Sequence, residues 1–225
     1  MCRWLSTNPR AKWCFRVVDA SAGATPIEVP IGNHYDKYAA KNPIARKLMA
    51  GFMTALDAAL PDEKPATVFE LGMGEGEVTD RVRARYGDVV ITGLDLPDAG
   101  LATHWNSRNL DGLFGDAGAL PVRSDSCDLV LAIEVLEHLA DPRAALRELS
   151  RISRRDVVVS VPNEPTWRVL NLVRGSYIKD LGNTPGHIQH WSAKSFSAMI
   201  AEYFDVVSVA KPLPWTIVRA RARRS

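Results

Sequence analysis

The stretch "VFELGMGEGEVTD", residues 68–80, places three glycines within five positions, directly after Glu70. The apolar residues at its start are typical of a buried strand, and the residues after Gly76 can begin a helix. Glycines permit positive φ angles and a close approach of a ligand to the backbone. The N-terminus of a helix offers unpaired N–H groups to an anion. The stretch therefore predicts a strand, a turn and a helix that together bind an anionic group.

Three known binding loops use such a turn. A P-loop requires Gly-Lys followed by Ser or Thr, and this stretch contains no Lys. The dinucleotide fingerprint G-x-G-x-x-G requires its third glycine one position later than Gly76. The observed order E-x-G-x-G-x-G resembles the first motif of class I S-adenosylmethionine-dependent methyltransferases. A glycine-rich turn that binds no ligand is the alternative interpretation.

Composition limits the class of protein. The 225 residues are 46% hydrophobic, which suits one α/β domain with appendages. A net charge of +2 gives no strong signal for nucleic acid. The three scattered cysteines form no disulfide or metal pattern, so we expect reduced thiols and a cytoplasmic location. No apolar run approaches the length of a transmembrane segment.

The chain divides into three predicted parts. Residues 1–30 mix basic residues and tryptophans without periodicity, and we predict a poorly ordered N-terminal extension. Residues 31–225 are predicted to form the main domain. Within it, residues 162–192 are long and irregular, and their aromatic residues suggest a lid or insertion on the acceptor side.

Apolar runs alternate with helical patterns along the main domain. This alternation predicts a Rossmann-like, doubly wound α/β fold with a mainly parallel, seven-stranded sheet and an antiparallel C-terminal hairpin. The predicted strands are 67–71, 88–96, a short strand within 112–117, 127–133, 156–161, 205–210 and 215–220. The predicted helices run from Pro43 to about residue 60, and over 77–86, 98–109, 142–152 and 195–203.

Acidic residues follow two of these strands, where ligands of such sheets bind. Asp95 ends the second strand, and its two carboxylate oxygens can accept both hydroxyls of a ribose. Asp116 follows the third strand and can accept from an adenine amino group, with the Ala117 backbone at the ring edge. A helix-capping role for Asp95 and a plain turn at Asp116 are the alternatives.

Residues 114–153 resemble the type-11 methyltransferase pattern in their Leu-Pro, C-D-L-V, L-E-H and D-P-x-x-x-L-x-E-x-x-R features. With the first motif, the resemblance covers roughly residues 35–161. It implies S-adenosylmethionine as the cofactor, with its methionine part on the glycines, its ammonium group near the acidic residue before them, and its sulfonium beside the end of the fourth strand. The implied cofactor-binding residues are Glu70, Gly72, Gly74, Gly76, Asp95, Leu96, Asp116, Ala117 and Ile133.

Histidines are the candidates for removing a proton from a hydroxyl acceptor. His187 and His190 lie in "GHIQHWS", after the long irregular segment, and His138 lies just after the fourth strand. We predict His190 as the catalytic base, because Trp191 beside it offers a stacking surface for an acceptor. His138 is the second candidate, with a structural role as its alternative.

The segment "EVLEH" contains Glu134, Glu137 and His138 at spacing i, i+3 and i+4, which predicts that all three lie on one helical face. A later histidine would complete a metal site. Metal-dependent 2′-O-methyltransferases of small-RNA ends, and some ubiquinone-pathway O-methyltransferases, resemble this pattern, but so do metal-free relatives. We expect no metal and full activity in the presence of a chelator.

The predicted function is methyl transfer from S-adenosylmethionine to a small or lipid-like, hydroxylated acceptor. One alternative is metal-dependent 2′-O-methylation of RNA ends, which the near-neutral charge disfavours. Another is a catalytically inactive, cofactor-binding partner subunit. The acceptor atom and the oligomeric state do not follow from the sequence.

Overall fold

The computed structural model describes residues 43–173, 183–184 and 186–223 of the chain. The predicted extension of residues 1–30 lies outside the described residues. The helices are α1 Pro43–Ala59, α2 Glu77–Tyr86, α3 Ala99–Arg108, α4 Pro142–Ile152, α5 Thr166–Val173 and α6 Ala193–Ile200. The strands are β1 Thr67–Leu71, β2 Val90–Asp95, β3 Gly112–Phe114, β4 Cys127–Ile133, β5 Ser153–Pro162, β6 Phe204–Ala210 and β7 Trp215–Ala222. A single 3-10 turn, Leu136–His138, follows β4.

The seven strands form one sheet in the order β3-β2-β1-β4-β5-β7-β6. The pairs from β3 to β5 are parallel, and β7 pairs antiparallel with both β5 and β6. This confirms the predicted fold class, including the C-terminal hairpin. The chain leaves β1 toward β2 and returns to β4 on the other side of β1. Ligands of open α/β sheets bind at such a reversal, beyond the carboxyl ends of the strands.

Strand β4 shows how both faces of the sheet are covered. All seven of its residues are buried. Leu129 and Leu131 pack in the core cluster that contains residues of α1 and α2. Val130 and Ala132 pack in the cluster on the opposite face, with residues of α4 and α6. Because neighbouring side chains of a strand point to opposite faces, a strand that is apolar from Leu129 to Ile133 is stable at this central position.

Apart from shifts of one to three residues at the ends of other elements, the structure differs from the predicted elements in two places. Strand β5 begins at Ser153 instead of residue 156, because Ser153 already pairs with Cys127 of β4, with an irregularity before Asp156 pairs with Leu129. Helix α5 lies within the segment that we expected to be irregular. Val169 and Leu172 of this helix are exposed, so its apolar residues are not confined to one face as they are in a helix packed on a core.

Among the described residues, none of the helices combines the length and the hydropathy that crossing a bilayer requires.

Candidate cofactor and acceptor site

The glycine-rich turn has the predicted backbone conformation. Gly72, Gly74 and Gly76 adopt φ angles of 70°, 50° and 87°. Packing also excludes side chains here, since a Cβ on Gly72 would lie 2.3 Å from Cγ2 of Val135. A Cβ on Gly76 would lie 2.4 Å from Cδ1 of Leu110. At its three glycines the turn therefore presents bare backbone just before the N-terminus of α2.

Asp95 lies directly against this turn. Its carboxylate accepts from the N–H of Gly74 and from the N–H of Leu96, both at 2.7 Å. Burial raises the pKa of Asp95, and these two backbone bonds oppose that shift. Each oxygen uses one acceptor site in these bonds and retains capacity for another. The carboxylate is therefore fixed by the backbone and still able to accept two hydroxyl groups.

Trp105 on α3, which was not among the predicted site residues, supports the turn. Its Nε1–H donates to the carbonyl of Gly74 at 2.7 Å. Its ring packs with Met73 and Leu110 in a small core cluster and stacks on Phe114 at 4.8 Å between centroids. The only sequence signal that could have indicated this role was a tryptophan in a predicted helix that is otherwise largely polar.

The predicted adenine side is the most open part of the site. Asp116 is exposed, and its Oδ1 accepts from the N–H of Gly118 at 2.8 Å, which closes a local turn. Leu96 and Phe114 are exposed apolar residues at the adjoining ends of β2 and β3. Their surface suits a flat aromatic ring. The adenine contacts of Asp116 and Ala117 stay predictions.

Glu70 is buried beneath the glycine turn. Its carboxyl group accepts from the hydroxyl of Thr79 on α2. Burial, the largest influence, raises the pKa of Glu70 from 4.5 to about 8. In the absence of a cation the group is therefore mostly protonated at neutral pH. Its contact with the ammonium group of the cofactor stays a prediction.

Glu134 follows Ile133, the last residue of β4, with a left-handed backbone of φ 59°. Its carboxylate accepts from Ser160 Oγ at 3.0 Å and from Trp215 Nε1 at 2.8 Å. These bonds connect the end of β4 to β5 and β7. The prediction that Glu134, Glu137 and His138 share one helical face is wrong, because Glu134 lies outside the 3-10 turn and its backbone is not helical.

The structure instead brings Glu137 and His138 together with His187. One potential ligand atom from each of the three residues lies within 4.8 Å of the others. The His138 and His187 rings are 5.0 Å apart between centroids, in an edge-to-face arrangement. His187 was a predicted candidate but not the preferred base, since nothing in the local sequence marks it as a neighbour of the 3-10 turn.

His190, the predicted base, is exposed at the end of the same segment. Its Nε2 lies 2.8 Å from Oδ1 of Asn183, whose amide nitrogen donates to the carbonyl of His187. Because Oδ1 only accepts, Nε2 of His190 carries the hydrogen and Nδ1 carries the lone pair. Partial burial and the Arg168 cation lower the pKa of His190. Trp191, the expected stacking surface, packs partly buried against Phe196.

Sequence comparisons place the central part of the chain in a known family. Residues 69–161 match the family described as "methyltransferase domain". Norajmaline N-methyltransferase of Rauvolfia serpentina is 30% identical over 100 residues, which cover 41% of this chain and 34% of that protein. Malonyl-[acyl-carrier protein] O-methyltransferase of Laribacter hongkongensis is 32% identical over 134 residues, which cover 54% of this chain and 43% of that protein. Each match spans less than half of the relative's length.

Solved structures show the same fold. A methyltransferase in complex with the Trm112 methyltransferase activator of Haloferax volcanii superimposes with a TM-score of 0.64 at 18% sequence identity. The superposition covers 78% of this chain and 92% of that chain. The family match over residues 69–161, the sheet order and the glycine turn together support the resemblance of this chain to the class I S-adenosylmethionine-dependent methyltransferases.

Proposed function

We propose that the chain transfers a methyl group from S-adenosylmethionine to a hydroxyl group of a small or lipid-like acceptor. The observation that carries the cofactor part is the contact between the Asp95 carboxylate and the glycine turn at the reversal point of the sheet. When bound, the cofactor supplies an electrophilic methyl group on a sulfonium centre. The protein's main task is then to align the acceptor, which can contribute several kcal/mol to lowering the barrier.

The residues of the turn fit this cofactor. The backbone N–H groups between Gly72 and Gly76, with the N-terminus of α2, suit the carboxylate of its amino-acid part. The remaining acceptor capacity of Asp95 suits the ribose hydroxyls. Leu96 and Phe114 provide an apolar surface for the adenine ring.

Exposed apolar side chains support a lipid-like acceptor. Val169, Leu172, Ile188 and Leu213 are between 41% and 55% exposed. They lie on α5, beside the 3-10 turn and before β7, all at the carboxyl edge of β4 and β5. Apolar groups gathered at the mouth of a site suit an apolar ligand better than a phosphate backbone.

His190 is proposed to accept the proton of the acceptor hydroxyl. Its exposed ring lies at the carboxyl edge of the sheet, since the neighbouring Trp191 bridges to Asn163 just after β5. The lowered pKa keeps its ring neutral at pH 7, with the lone pair on Nδ1. A neutral imidazole in this position can take the proton as the new O–C bond forms.

A panel of acceptors tests the proposal. Purified full-length protein would be incubated with S-adenosylmethionine and pairs of amphiphilic alcohols and amines that share one carbon skeleton, together with an RNA oligonucleotide. We expect S-adenosylhomocysteine to form with the alcohols. The amines matter because the two relatives carry N- and O-methyltransferase names. Turnover with amines alone contradicts the hydroxyl assignment, and turnover with RNA alone supports the RNA-end alternative.

Asp95→Ala is expected to weaken binding of S-adenosylmethionine by about 1.5–3 kcal/mol, the range for hydrogen bonds to a charged group. Titration calorimetry measures this change, and thermal unfolding verifies that the variant is folded. Asp111→Ala, which removes an exposed carboxylate just before β3, serves as the control and should bind normally. Unchanged affinity in a folded Asp95→Ala protein would remove Asp95 from the site.

Cofactor binding is expected to release a proton from Glu70. The pKa of about 8 means that the free protein holds this proton at pH 7, and an ammonium group beside the carboxyl would lower that pKa. Calorimetry in buffers of different ionisation enthalpy counts the released protons. Glu70→Gln should bind without this release. Equal release by the wild type and Glu70→Gln would show that the proton comes from another group.

The raised pKa of Glu70 also determines how this residue makes the stability of the fold depend on pH. The folded-state pKa of Glu70 is raised above its ordinary value of 4.5. The contribution of Glu70 to the free energy of unfolding is therefore most favourable below pH 4.5 and is lost as the pH rises to about 8. Glu70→Gln should therefore flatten the pH dependence of unfolding over this interval.

A further inference from the structure

We propose that Glu137, His138 and His187 bind a divalent transition-metal cation on the acceptor side of the site. Two imidazole nitrogens and one carboxylate oxygen are a donor set suited to Zn²⁺, Co²⁺ or Fe²⁺. The three potential ligand atoms lie within 4.8 Å of one another. Metal bonds of about 2.0–2.1 Å separate tetrahedral ligands by about 3.3 Å, so the site closes with side-chain movements of about 1 Å.

The orientation of His138 is that of a metal ligand. Its Nδ1 lies 2.9 Å from the carbonyl oxygen of Gly186, which only accepts, so Nδ1 carries the hydrogen. The neutral ring therefore has its lone pair on Nε2. That atom lies 3.9 Å from Oε1 of Glu137. Ligating histidines commonly donate their other N–H to a carbonyl or carboxylate, which fixes the ring for the metal.

The segment that carries His187 is fixed to the 3-10 turn by its backbone. The N–H groups of Ile188 and Gln189 both donate to the carbonyl of Glu137, at 3.0 and 3.1 Å. The N–H of His187 donates to the carbonyl of Thr184 at 3.1 Å. Two ligands that are distant in sequence are thus held together before any cation binds, which is what a preorganised site requires.

Packing fixes the His187 ring from the other side. The ring of Trp167 on α5 lies 5.7 Å from that of His187 between centroids. The indole N–H of Trp167 donates to the hydroxyl of Thr184 at 2.9 Å, so one residue anchors both the ring and the backbone of this ligand.

Burial favours a cation at this place. The side chains of Glu137 and His187 are only 1% and 4% exposed. Removing a carboxylate from water is costly unless positive charge offsets the loss of hydration. A divalent cation between the three groups provides that charge. A protonated His138 paired with Glu137 is the competing explanation, and a metal titration separates the two.

The role of the cation in catalysis rests on the proposed function, whereas the metal site itself does not. The 3-10 turn directly follows β4, whose end the family resemblance places beside the transferred methyl group. Three protein ligands leave coordination positions open to an acceptor oxygen. The cation would lower the pKa of a hydroxyl there. His190 would take the O–H proton, while the oxygen would bond to the methyl carbon as the methyl–sulfur bond broke, leaving a neutral thioether. This reverses the metal-free expectation from the sequence.

Cobalt titration tests the metal site without cofactor or acceptor. Chelator-treated full-length protein would be titrated with Co²⁺, with visible absorption and calorimetry as readouts. We expect one equivalent to bind. His187→Gln, His138→Gln and Glu137→Gln should each weaken binding about 100-fold or more, because loss of an outer-shell partner alone costs about 10–100-fold. His104→Gln, which removes a histidine on α3 outside the cluster, should bind normally.

The outcomes separate the site from the proposed function. No Co²⁺ binding by the wild type, or equal weakening in His104→Gln, overturns the metal site. Thermal unfolding verifies each variant, and His187→Gln supplies the decisive comparison if Glu137→Gln does not fold. Binding that depends on the three residues supports the site even if every hydroxyl acceptor fails. Alcohol methylation that persists in chelator, in a protein that binds Co²⁺, overturns the catalytic role of the cation.

Discussion

His190→Gln is expected to lower kcat by about 10²-fold or more while leaving cofactor affinity unchanged. A general base accepts the proton in the transition state and takes no part in cofactor binding. The substitution should therefore change kcat without changing cofactor affinity. Glutamine retains a donor and an acceptor but cannot take a proton at neutral pH. The Nε2–H of His190 is committed to Asn183, and the reactive lone pair is therefore on Nδ1.

The pH dependence gives this prediction a second readout. The pKa of His190 is lowered from 6.5, first by partial burial and then by Arg168. The base is lost as the pH falls through that pKa, so kcat should decline at a lower pH than an ordinary histidine would impose. Replacing Arg168 with Met removes a nearby cation and should shift this decline to higher pH. His190→Gln should abolish it.

Comparison with His138→Gln gives outcomes that would contradict the assignment of His190 as the base. If His190→Gln keeps wild-type kcat while His138→Gln loses it and still binds Co²⁺, the base lies on the 3-10 turn. If neither substitution changes kcat, the acceptor arrives already nucleophilic. An amine, a thiolate or a carbanion would behave in this way, and O-methylation would then be rejected.

The cofactor side of the site follows from the sequence because its signals are local. Residues 68–80 form one continuous strand, turn and helix, so composition and order determine the backbone. Asp95 was predictable for a related reason. Parallel strands that lie side by side end at one edge of the sheet, which brings its carboxylate to the N–H of Gly74.

The acceptor side does not follow, because its contacts join distant parts of the chain. His187 reaches Glu137 through backbone hydrogen bonds made by the next two residues, and no periodic pattern encodes such bonds. Glu134 was placed incorrectly for a different reason. Its partners Ser160 and Trp215 lie on other strands, and they hold its backbone at a positive φ that breaks the assumed helix.

Gly72→Ala is expected to lower the free energy of unfolding by about 2–6 kcal/mol. The φ of 70° at Gly72 is one that L-residues adopt at a cost of about 1–3 kcal/mol. The new methyl group would also lie 2.3 Å from Cγ2 of Val135, and such overpacking costs about 1–3 kcal/mol more. Denaturant unfolding measures the sum. Calorimetry should show weaker cofactor binding, because the turn must shift to admit the methyl group.

Gly87→Ala is a control at a positive φ where no steric clash adds to the backbone term, with a ψ of −128°. Gly87 has a similar φ of 69°, but a Cβ there would meet nothing within 4 Å. This variant should therefore be destabilised only by the backbone strain of a positive φ, about 1–3 kcal/mol, with cofactor affinity unchanged.

Val135→Ala should rescue Gly72→Ala in part. It removes Cγ2 and leaves Cβ at 3.4 Å from the new methyl group, which is an ordinary contact distance. In the double-mutant cycle the two substitutions should couple favourably by about 1–3 kcal/mol, the overpacking term alone. Additive losses would mean that Val135 does not limit the space above the turn. In that case backbone conformation alone would require glycine at position 72, and the close packing of the turn against the end of β4 would play no part in shaping the cofactor site.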